Sequence, residues 1–469
     1  VLLTVTVRTF DLVIVGTGSG NSILDQRFRD WNVAIVEKGV FGGTCLNVGC
    51  IPTKMFVHTA DLAATPAASA RLGVDSTLDG VRWADIRDRI FGRIDPIAAG
   101  GREYRRHHED NANVTVFEGT GTFTAPKVLE VTLPDGTSET ITAPKFVLAA
   151  GGRAVVPDIP GLADVGYETS DTVMRLDKLP KRLTILGSGF VAAEFAHVFS
   201  SYGVDVTVIA RSGALLRGED EEISTRFTEL AAERWDVRLD RKTVRAERDG
   251  DVVKLHLEGP SGAETVESDV LLVAIGRTPN SDILGTTAGG IATAPGGHVV
   301  VDEYQQTTLD GVYALGDISS PYELKHVANH EARIVQHNLL HPEDRKTSDH
   351  RFVPHAVFTS PQIASVGLTE REAAASHQRH VVAVQHYSDI AYGWAMEDTT
   401  GFVKLLADPA TGQLLGAHIM GPQAASVIQP LIQAMSFGLP AHEMARGQYW
   451  IHPGMPEVVE NALLKFELE

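Results

Sequence analysis

The chain carries two cysteines, Cys45 and Cys50, and both stand in one stretch, GGTCLNVGCIPTK, residues 42–54. A regular α-helix would hold Cα atoms five positions apart at roughly 7.5 Å. A disulfide needs them about 4.4–6.8 Å apart. The pair can therefore close only where the backbone leaves helical geometry. Gly49 permits such a departure and Pro52 can impose one. A loop of four residues has little chain entropy to constrain, so as a staple this bridge would stabilise little. Two buried, inert thiols would need neither the glycines nor the proline. The pattern points to a bond made to be broken.

A second chemical pair lies near the other end of the chain. In His452-Pro453-Gly454-Met455-Pro456-Glu457 a histidine precedes a glutamate by five positions. A carboxylate at that spacing can fix the tautomer of an imidazole that moves protons.

The elements that must position these groups read as nucleotide-binding units. Phe10–Val15 is an apolar run ending in Gly16-Thr17-Gly18-Ser19-Gly20-Asn21. This predicts a strand, a glycine loop and a helix, with backbone N–H groups facing a pyrophosphate. The third glycine of the fingerprint is replaced by Asn21. The next predicted strand, Asn32–Val36, runs into Glu37, placed to meet a ribose hydroxyl. Residues 55–108 read as helices with a polar break near Gly73–Gly80. Arg105, Arg106, His107 and His108 read as a solvated helix end. Residues 114–148 read as a β-meander.

The pattern then repeats. Leu183–Leu186 leads into Gly187-Ser188-Gly189-Phe190-Val191-Ala192, a strand Asp205–Ile209 comes next, and a second meander spans residues 237–266. That strand ends not in an acid but in Ala210-Arg211, with Arg217 six residues on. Two guanidiniums can grip a 2′-phosphate, so the second nucleotide reads as NADPH rather than NADH. Further on, an apolar strand is predicted to run into Gly316-Asp317. Past the charged linker His341–His350 the composition changes, with strands predicted at Phe402–Ala407 and Leu414–Ile419 and helices at Gln423–Phe437 and near the chain end.

Hydrophobic residues make up 43% of the chain and charged residues 22%, ordinary for a soluble globular protein. The formal net charge of −19 argues against nucleic acid or an anionic membrane as partner. Val1–Val7 reads as a short extension rather than a signal peptide, and paired cysteines in such a chain suit a cytoplasmic catalyst. No metal site is expected.

The cysteine stretch, the two glycine loops in order and the His452–Glu457 pair together resemble the FAD-dependent pyridine nucleotide–disulphide oxidoreductases, the family of glutathione reductase and lipoamide dehydrogenase. The resemblance covers nearly the whole chain. It implies an α/β fold with two Rossmann-like domains, for FAD and NADPH, and a C-terminal α+β dimerisation domain. The implied bounds are 1–151 with 277–349 for FAD, 152–276 for NADPH and 350–469 for the interface.

The same resemblance distributes the roles. For FAD it implies Gly16, Gly18, Ser19, Gly20 and Glu37, then Gly43, Thr44 and Lys54 in the cysteine stretch. Gly121 is placed near the adenine, Asp317 at the ribityl chain, and His326 and Ala328 by the flavin ring. For NADPH it implies Gly187, Gly189, Glu194, Arg211, Arg217, Gly276 and Arg277, with Lys54 and Glu194 forming an ion pair. Cys50 would face the flavin and Cys45 would attack a small-molecule disulfide. His452, oriented by Glu457, would act from the other subunit of a homodimer. The arginines depart from lipoamide dehydrogenases. Glutathione reductases stay open, although Gln26 replaces their substrate-binding arginine. A non-catalytic flavoprotein would have lost one of Cys45, Cys50, His452 or Glu457, and all four are present.

Overall fold

The computed structural model describes residues 7–469. The reading of Val1–Val7 as an extension lies outside them, except for Val7, which opens the strand Val7–Thr9. The chain divides into two compact units. One comprises the chain up to Thr53, Asp85–Val155 and Gly276–Asp349; the other comprises Lys54–Ala84, Val156–Ile275 and His350–Glu469.

The first unit is built on a five-stranded parallel sheet. Its order is Val312–Ala314, Lys145–Leu148, Leu12–Val15, Val33–Glu37 and Val114–Glu118. Leu12, Val13, Ile14 and Val15 are all buried, the unbroken apolar pattern of a parallel strand covered on both faces. The predicted meander is split. Only Thr120–Ala125, Val128–Thr132 and Ser138–Thr142 form antiparallel neighbours, joined by Val7–Thr9. The first and last predicted meander strands belong to the parallel sheet instead, because their apolar residues fill its core.

Two expectations fail here for one physical reason. No α-helix succeeds the first glycine loop; Ser19–Ile23 and Gln26–Phe28 are single 3₁₀ turns. Arg105 is not a solvated helix end but is 8% exposed. Its guanidinium donates to Asn21 Oδ1 at 2.8 Å, Asn21 O at 2.8 Å and Leu24 O at 3.2 Å. The carbonyls that a continuing helix would use are held by an arginine from the helix Trp83–His107, and Asn21, in place of glycine, supplies the side-chain acceptor.

In the second unit a parallel sheet of Asp236–Arg238, Asp205–Ile209, Arg182–Leu186 and Val270–Val273 carries the second glycine loop, here continued by the helix Phe190–Ser201. The predicted second meander is the antiparallel set Lys242–Asp249, Val252–Gly259 and Gly262–Ser268. The C-terminal part is a five-stranded sheet in the order His355–Val357, Ile363–Gly367, Leu414–Met420, Phe402–Ala407, Val381–His386. Leu431, Ala434, Val458, Val459 and Ala462, from the helices Gln429–Phe437 and Glu457–Leu464, share its apolar core. The α/β reading of the sequence holds. Among the described residues no helix is long and apolar enough to cross a membrane.

The internal repeat is visible atom by atom. Gly16 N–H donates to Val36 O at 2.8 Å and Gly187 N–H to Ile209 O at 3.0 Å. Ala149 N–H donates to Val15 O at 2.8 Å and Ala274 N–H to Leu186 O at 2.8 Å. Each first glycine faces the alanine just past the strand that pairs with its own, Ala149 after Lys145–Leu148 and Ala274 after Val270–Val273. A Cβ on Gly16 would sit 2.2 Å from Ala149 O, and one on Gly187 would sit 2.1 Å from Ala274 O, at φ +102° and +140°. Only glycine fits either turn. Gly16→Ala and Gly187→Ala are each expected to cost about 2–4 kcal/mol through strain and overpacking, read as a lowered midpoint in denaturant unfolding. An unchanged midpoint in either variant would show that the carbonyl can move aside.

Candidate active site

The cysteine stretch folds as two helical segments with a break between them. Gly43–Asn47 is a single turn, Val48 leaves the helix at φ −145°, ψ 11°, and a new helix, Cys50–Ser69, begins on the second cysteine. A Cβ on Gly49 would lie 3.0 Å from Thr44 O, so the break is tight. Pro52 falls in the first turn of the new helix, where its missing N–H costs nothing. Both cysteines are free thiols that hydrogen-bond to each other.

This arrangement divides the two sulfurs. Cys45 is pulled down to about 7, first by the hydrogen bond from the Cys50 thiol, with burial opposing. The Lys325 ammonium and the N–H groups of Cys50 and Ile51 add to the pull. Those amides belong to the start of the helix Cys50–Ser69, where N–H groups lack helical acceptors and favour an anion. The Cys50 thiol is pushed far up by the hydrogen bond it makes to Cys45, by desolvation and by the Cys45 charge. Of the two sulfurs, Cys45 is the one held towards the thiolate near neutral pH.

Around this loop the structure gathers residues that sequence reasoning missed. Thr17 is 1% exposed. Its N–H and hydroxyl both donate to Glu37 Oε2, at 2.8 and 2.6 Å, and its hydroxyl accepts from Gly42 N–H at 3.1 Å. One hydroxyl therefore ties the first glycine loop, the acid at the strand end and the cysteine stretch together. Asn47 Nδ2 donates to Phe41 O at 2.8 Å and Gly43 O at 3.0 Å, holding the turn ahead of the break. Lys325 opens the helix Lys325–Leu340 and donates to Ser19 Oγ at 2.7 Å. A cation at a helix N-terminus opposes the macrodipole, and that misplacement was the signal available in the sequence.

The first unit fits an FAD. Gly18 and Gly43 approach so closely that a Cβ on Gly43 would lie 2.7 Å from Gly18 Cα, leaving bare backbone on both loops. Neither Gly18 nor Gly42, each the cap of the turn after it, makes a side-chain cap. Glu37 Oε1 accepts Gly39 N–H at 2.8 Å and keeps capacity for a hydroxyl. Asp317 is partly buried, and Arg277 lies 3.8 Å away. Burial pushes its carboxyl up, opposed by Arg277, as suits a carboxylate that wants a further donor. Gly121 lies in the strand Thr120–Ala125 against Val36 and Leu129. Ala328 is buried and His326 exposed in the helix Lys325–Leu340.

Three assigned residues keep other company than expected. Gly276 and Arg277, assigned to the nicotinamide nucleotide, belong to the first unit, where Arg277 donates to Gly152 O at 2.8 Å and faces Asp317. Lys54, assigned to FAD, belongs to the second unit with Glu194. These two do not form the expected direct ion pair. The Lys54 ammonium lies over the Phe358 ring, 3.8 Å from its centroid, and Glu194 Oε1 accepts Phe358 N–H at 2.9 Å. Burial pushes Glu194 up to about 7 against the pull of that N–H and of Lys54, and burial lowers Lys54.

In the second unit the loop carrying Arg211 and Arg217 docks onto the glycine loop. Leu216 N–H donates to Ser188 O at 2.7 Å, and Ser212 Oγ lies 3.4 Å from Ser188 Oγ. Gly189 caps the helix Phe190–Ser201 without a side-chain bond. Both arginines are exposed. Far along the chain, His452 Nδ1 and Glu457 Oε1 are 2.6 Å apart. The imidazole is 70% exposed while its carboxylate partner is 17% exposed, so Nε2 is presented to solvent. Tyr449 and Ile451 beside it are also exposed. Among the described residues no group of three or more His, Cys, Asp or Glu is arranged to hold a metal.

Residues 10–332 match the family described as pyridine nucleotide-disulphide oxidoreductase, and residues 353–463 match its dimerisation domain. The chain is 54% identical to mycothione reductase of Mycobacterium tuberculosis over 97% of its length and 99% of the relative's. It is 35% identical to mercuric reductase of Streptomyces lividans, over 93% and 92%. Among solved structures, the HOCl-induced flavoprotein disulfide reductase RclA from Escherichia coli superposes with a TM-score of 0.84 at 27% identity, covering 97% of this chain and 100% of that one. The chain belongs to the pyridine nucleotide–disulphide oxidoreductase family and is an oxidoreductase with FAD and NADPH as its cofactors.

Proposed function

We propose that the chain reduces mycothione, the disulfide of mycothiol, to the thiol through the Cys45–Cys50 pair, in the cytoplasm, as a homodimer whose active sites are shared between subunits. The observation that carries the substrate is the 54% identity, sustained over nearly both full lengths, with mycothione reductase. Gly16, Gly18, Ser19, Gly20, Glu37, Gly43, Thr44 and Asp317 would hold FAD, which would supply the two-electron transfer from NADPH that returns the cysteine pair to two thiols. The exposed Arg211 and Arg217 on an acidic protein take the coenzyme's 2′-phosphate.

The residues account for the rest. Cys45, ionised near neutral pH, attacks one sulfur of the substrate disulfide. The sulfur–sulfur bond breaks, a Cys45–substrate mixed disulfide forms, and the first thiolate leaves. A protonated His452 of the second subunit gives it a proton, with Glu457 holding the imidazole. Once Cys45 is in the mixed disulfide its negative charge is gone. Two of the causes that hold the Cys50 thiol up, its hydrogen bond to Cys45 and the Cys45 charge, vanish with it. Cys50 can then ionise and attack Cys45, releasing the second thiol and closing the Cys45–Cys50 disulfide. Two thiols become one disulfide as one substrate disulfide becomes two thiols. The order of ionisation sets the order of attack.

The direct test compares mycothione with glutathione disulfide in steady state. A kcat/KM at least about a hundredfold higher for mycothione is expected, a difference of about 2.7 kcal/mol; equal values would remove the substrate from this reading. In the dithiol-reduced protein, alkylation of Cys45 by iodoacetamide should rise with a midpoint near pH 7 while Cys50 stays unreactive. Lys325→Gln should raise the midpoint by up to about one unit, since a neighbouring cation favours the thiolate, and Lys325→Arg should restore it. A midpoint unmoved by Lys325→Gln would remove the lysine from the site.

The shared site has its own test. His452→Ala should lose about 10²–10⁴-fold in turnover, and Cys45→Ser should be inactive. Mixing the two inactive homodimers under subunit exchange should return activity, because one site of each mixed dimer is intact. No return despite demonstrated exchange would place His452 in its own chain's site or in none.

A further inference from the structure

The loop that carries Arg217 runs straight into Gly218-Glu219-Asp220-Glu221-Glu222. Two of these acids are buried, Glu219 at 6% and Asp220 at 1% exposure, and each is gripped from the C-terminal part of the same unit. Asp220 Oδ1 accepts from Lys404 Nζ at 2.9 Å, and its Oδ2 accepts from Glu370 N–H at 3.1 Å. Lys404, itself 2% exposed, also meets Glu370 Oε2 at 2.6 Å. Glu219 Oε1 lies 2.7 Å from His355 Nε2, and its Oε2 accepts from Ser365 Oγ at 2.6 Å. Arg371 Nη2 reaches the carbonyl of Arg217 itself, at 3.3 Å.

Buried ion pairs are weak devices for stability, because desolvation offsets their attraction; what they fix is geometry. Here the fixed object is a short loop. Upstream, Leu216 N–H is bound to Ser188 O, and Leu215 O accepts from Ser224 Oγ at 2.6 Å. Leu216 sits at φ +52°, a left-handed conformation that a leucine keeps only when its surroundings over-determine it. Glu219 N–H closes back on Leu216 O at 2.9 Å. Arg217 and Gly218 are the two exposed residues between clamped ends. The guanidinium of Arg217 has no hydrogen-bond or ion-pair partner among the described residues, so the clamp acts on the backbone and leaves the charge available.

We propose that the buried cluster of Lys404 and Asp220, with Glu219 held by His355 and Ser365 and Arg371 on the Arg217 carbonyl, is a positioning element for coenzyme choice. Through it the C-terminal part, besides its place in subunit pairing, sets the preference for a nucleotide bearing a 2′-phosphate. The inference rests on the assignment of Arg217 to that phosphate. Ordering a loop before binding removes a cost otherwise met at binding.

The test uses the holoenzyme and calorimetric binding of adenosine 2′,5′-bisphosphate, with 5′-AMP as the ligand lacking the 2′-phosphate. Arg217→Gln should weaken the bisphosphate at least tenfold and leave 5′-AMP unchanged. Lys404→Met should weaken the bisphosphate about five- to tenfold, again sparing 5′-AMP, and should add nothing in an Arg217→Gln background. Arg371→Gln and Ser365→Ala, milder changes that keep the buried ion pair, should each weaken it about two- to threefold; they decide the matter should Lys404→Met fail to fold. If Arg217→Gln itself is silent, the phosphate assignment falls and the inference with it. If Arg217→Gln weakens binding while the cluster variants do not, or weaken both ligands alike, the cluster is only a structural joint and the inference is overturned.

Discussion

A protein of net charge −19 has to hold an anion on one sulfur, and that requirement organises the cysteine stretch. An unbroken helix from Gly43 to Ser69 would keep the two sulfurs too far apart for a disulfide, and it would also commit the amides of Cys50 and Ile51 to carbonyls one turn back. The break at Val48–Gly49 answers both needs. It lets the sulfurs approach, and it makes Cys50 the first residue of a 20-residue helix whose free N–H groups point at Cys45. Lys325 supplies the only full positive charge among the main causes that lower Cys45. The same defect in the helix therefore serves bonding and ionisation together.

The two glycine loops show how one motif settles differently in two settings. Their hydrogen bonds to the sheet agree within a few tenths of an ångström, since the first glycine and the closing alanine leave no alternative. Beyond that point they diverge. After Gly189 the mostly apolar segment Phe190–Phe199 packs as a helix with Ala192, Ala193, Phe195 and Ala196 buried. After Gly18 the sequence is polar, and Arg105 takes the carbonyls. The motif fixes the turn, and the tertiary partner at hand decides the conformation of the residues after it.

The same contrast separates the legible from the illegible in the sequence. The Cys45–Cys50 contact, the turns of the two glycine loops and the His452–Glu457 contact were legible because each lies within a few consecutive residues. The parallel strands were legible as unbroken apolar runs, although their bounds moved by a residue or two. Arg105 with Asn21, Lys325 with Ser19 and Lys404 with Asp220 were not legible, because their partners are 84, 306 and 184 positions apart. Spacing arguments have no reach at such distances. The split meander failed for the same reason: alternation marks a strand but not the sheet it joins.

The C-terminal part enters the second nucleotide unit at both ends. At one end Phe358 N–H holds Glu194, the Phe358 ring underlies Lys54, and Ser360 O accepts from Arg234 at 2.6 Å. At the other end Lys404, His355, Ser365 and Arg371 hold the loop of Arg217. The strand Phe402–Ala407, whose six residues are all buried, carries Lys404 as the one charged side chain in an apolar row. A lysine there is costly unless its ammonium is met by carboxylates, and the carboxylates that meet it are Asp220, Glu370 and, at 3.7 Å, Glu222. Removing either partner alone would leave a buried charge, so the joint between coenzyme loop and C-terminal sheet is held by mutual need. A domain matched as a dimerisation domain thus also braces the loop of Arg217.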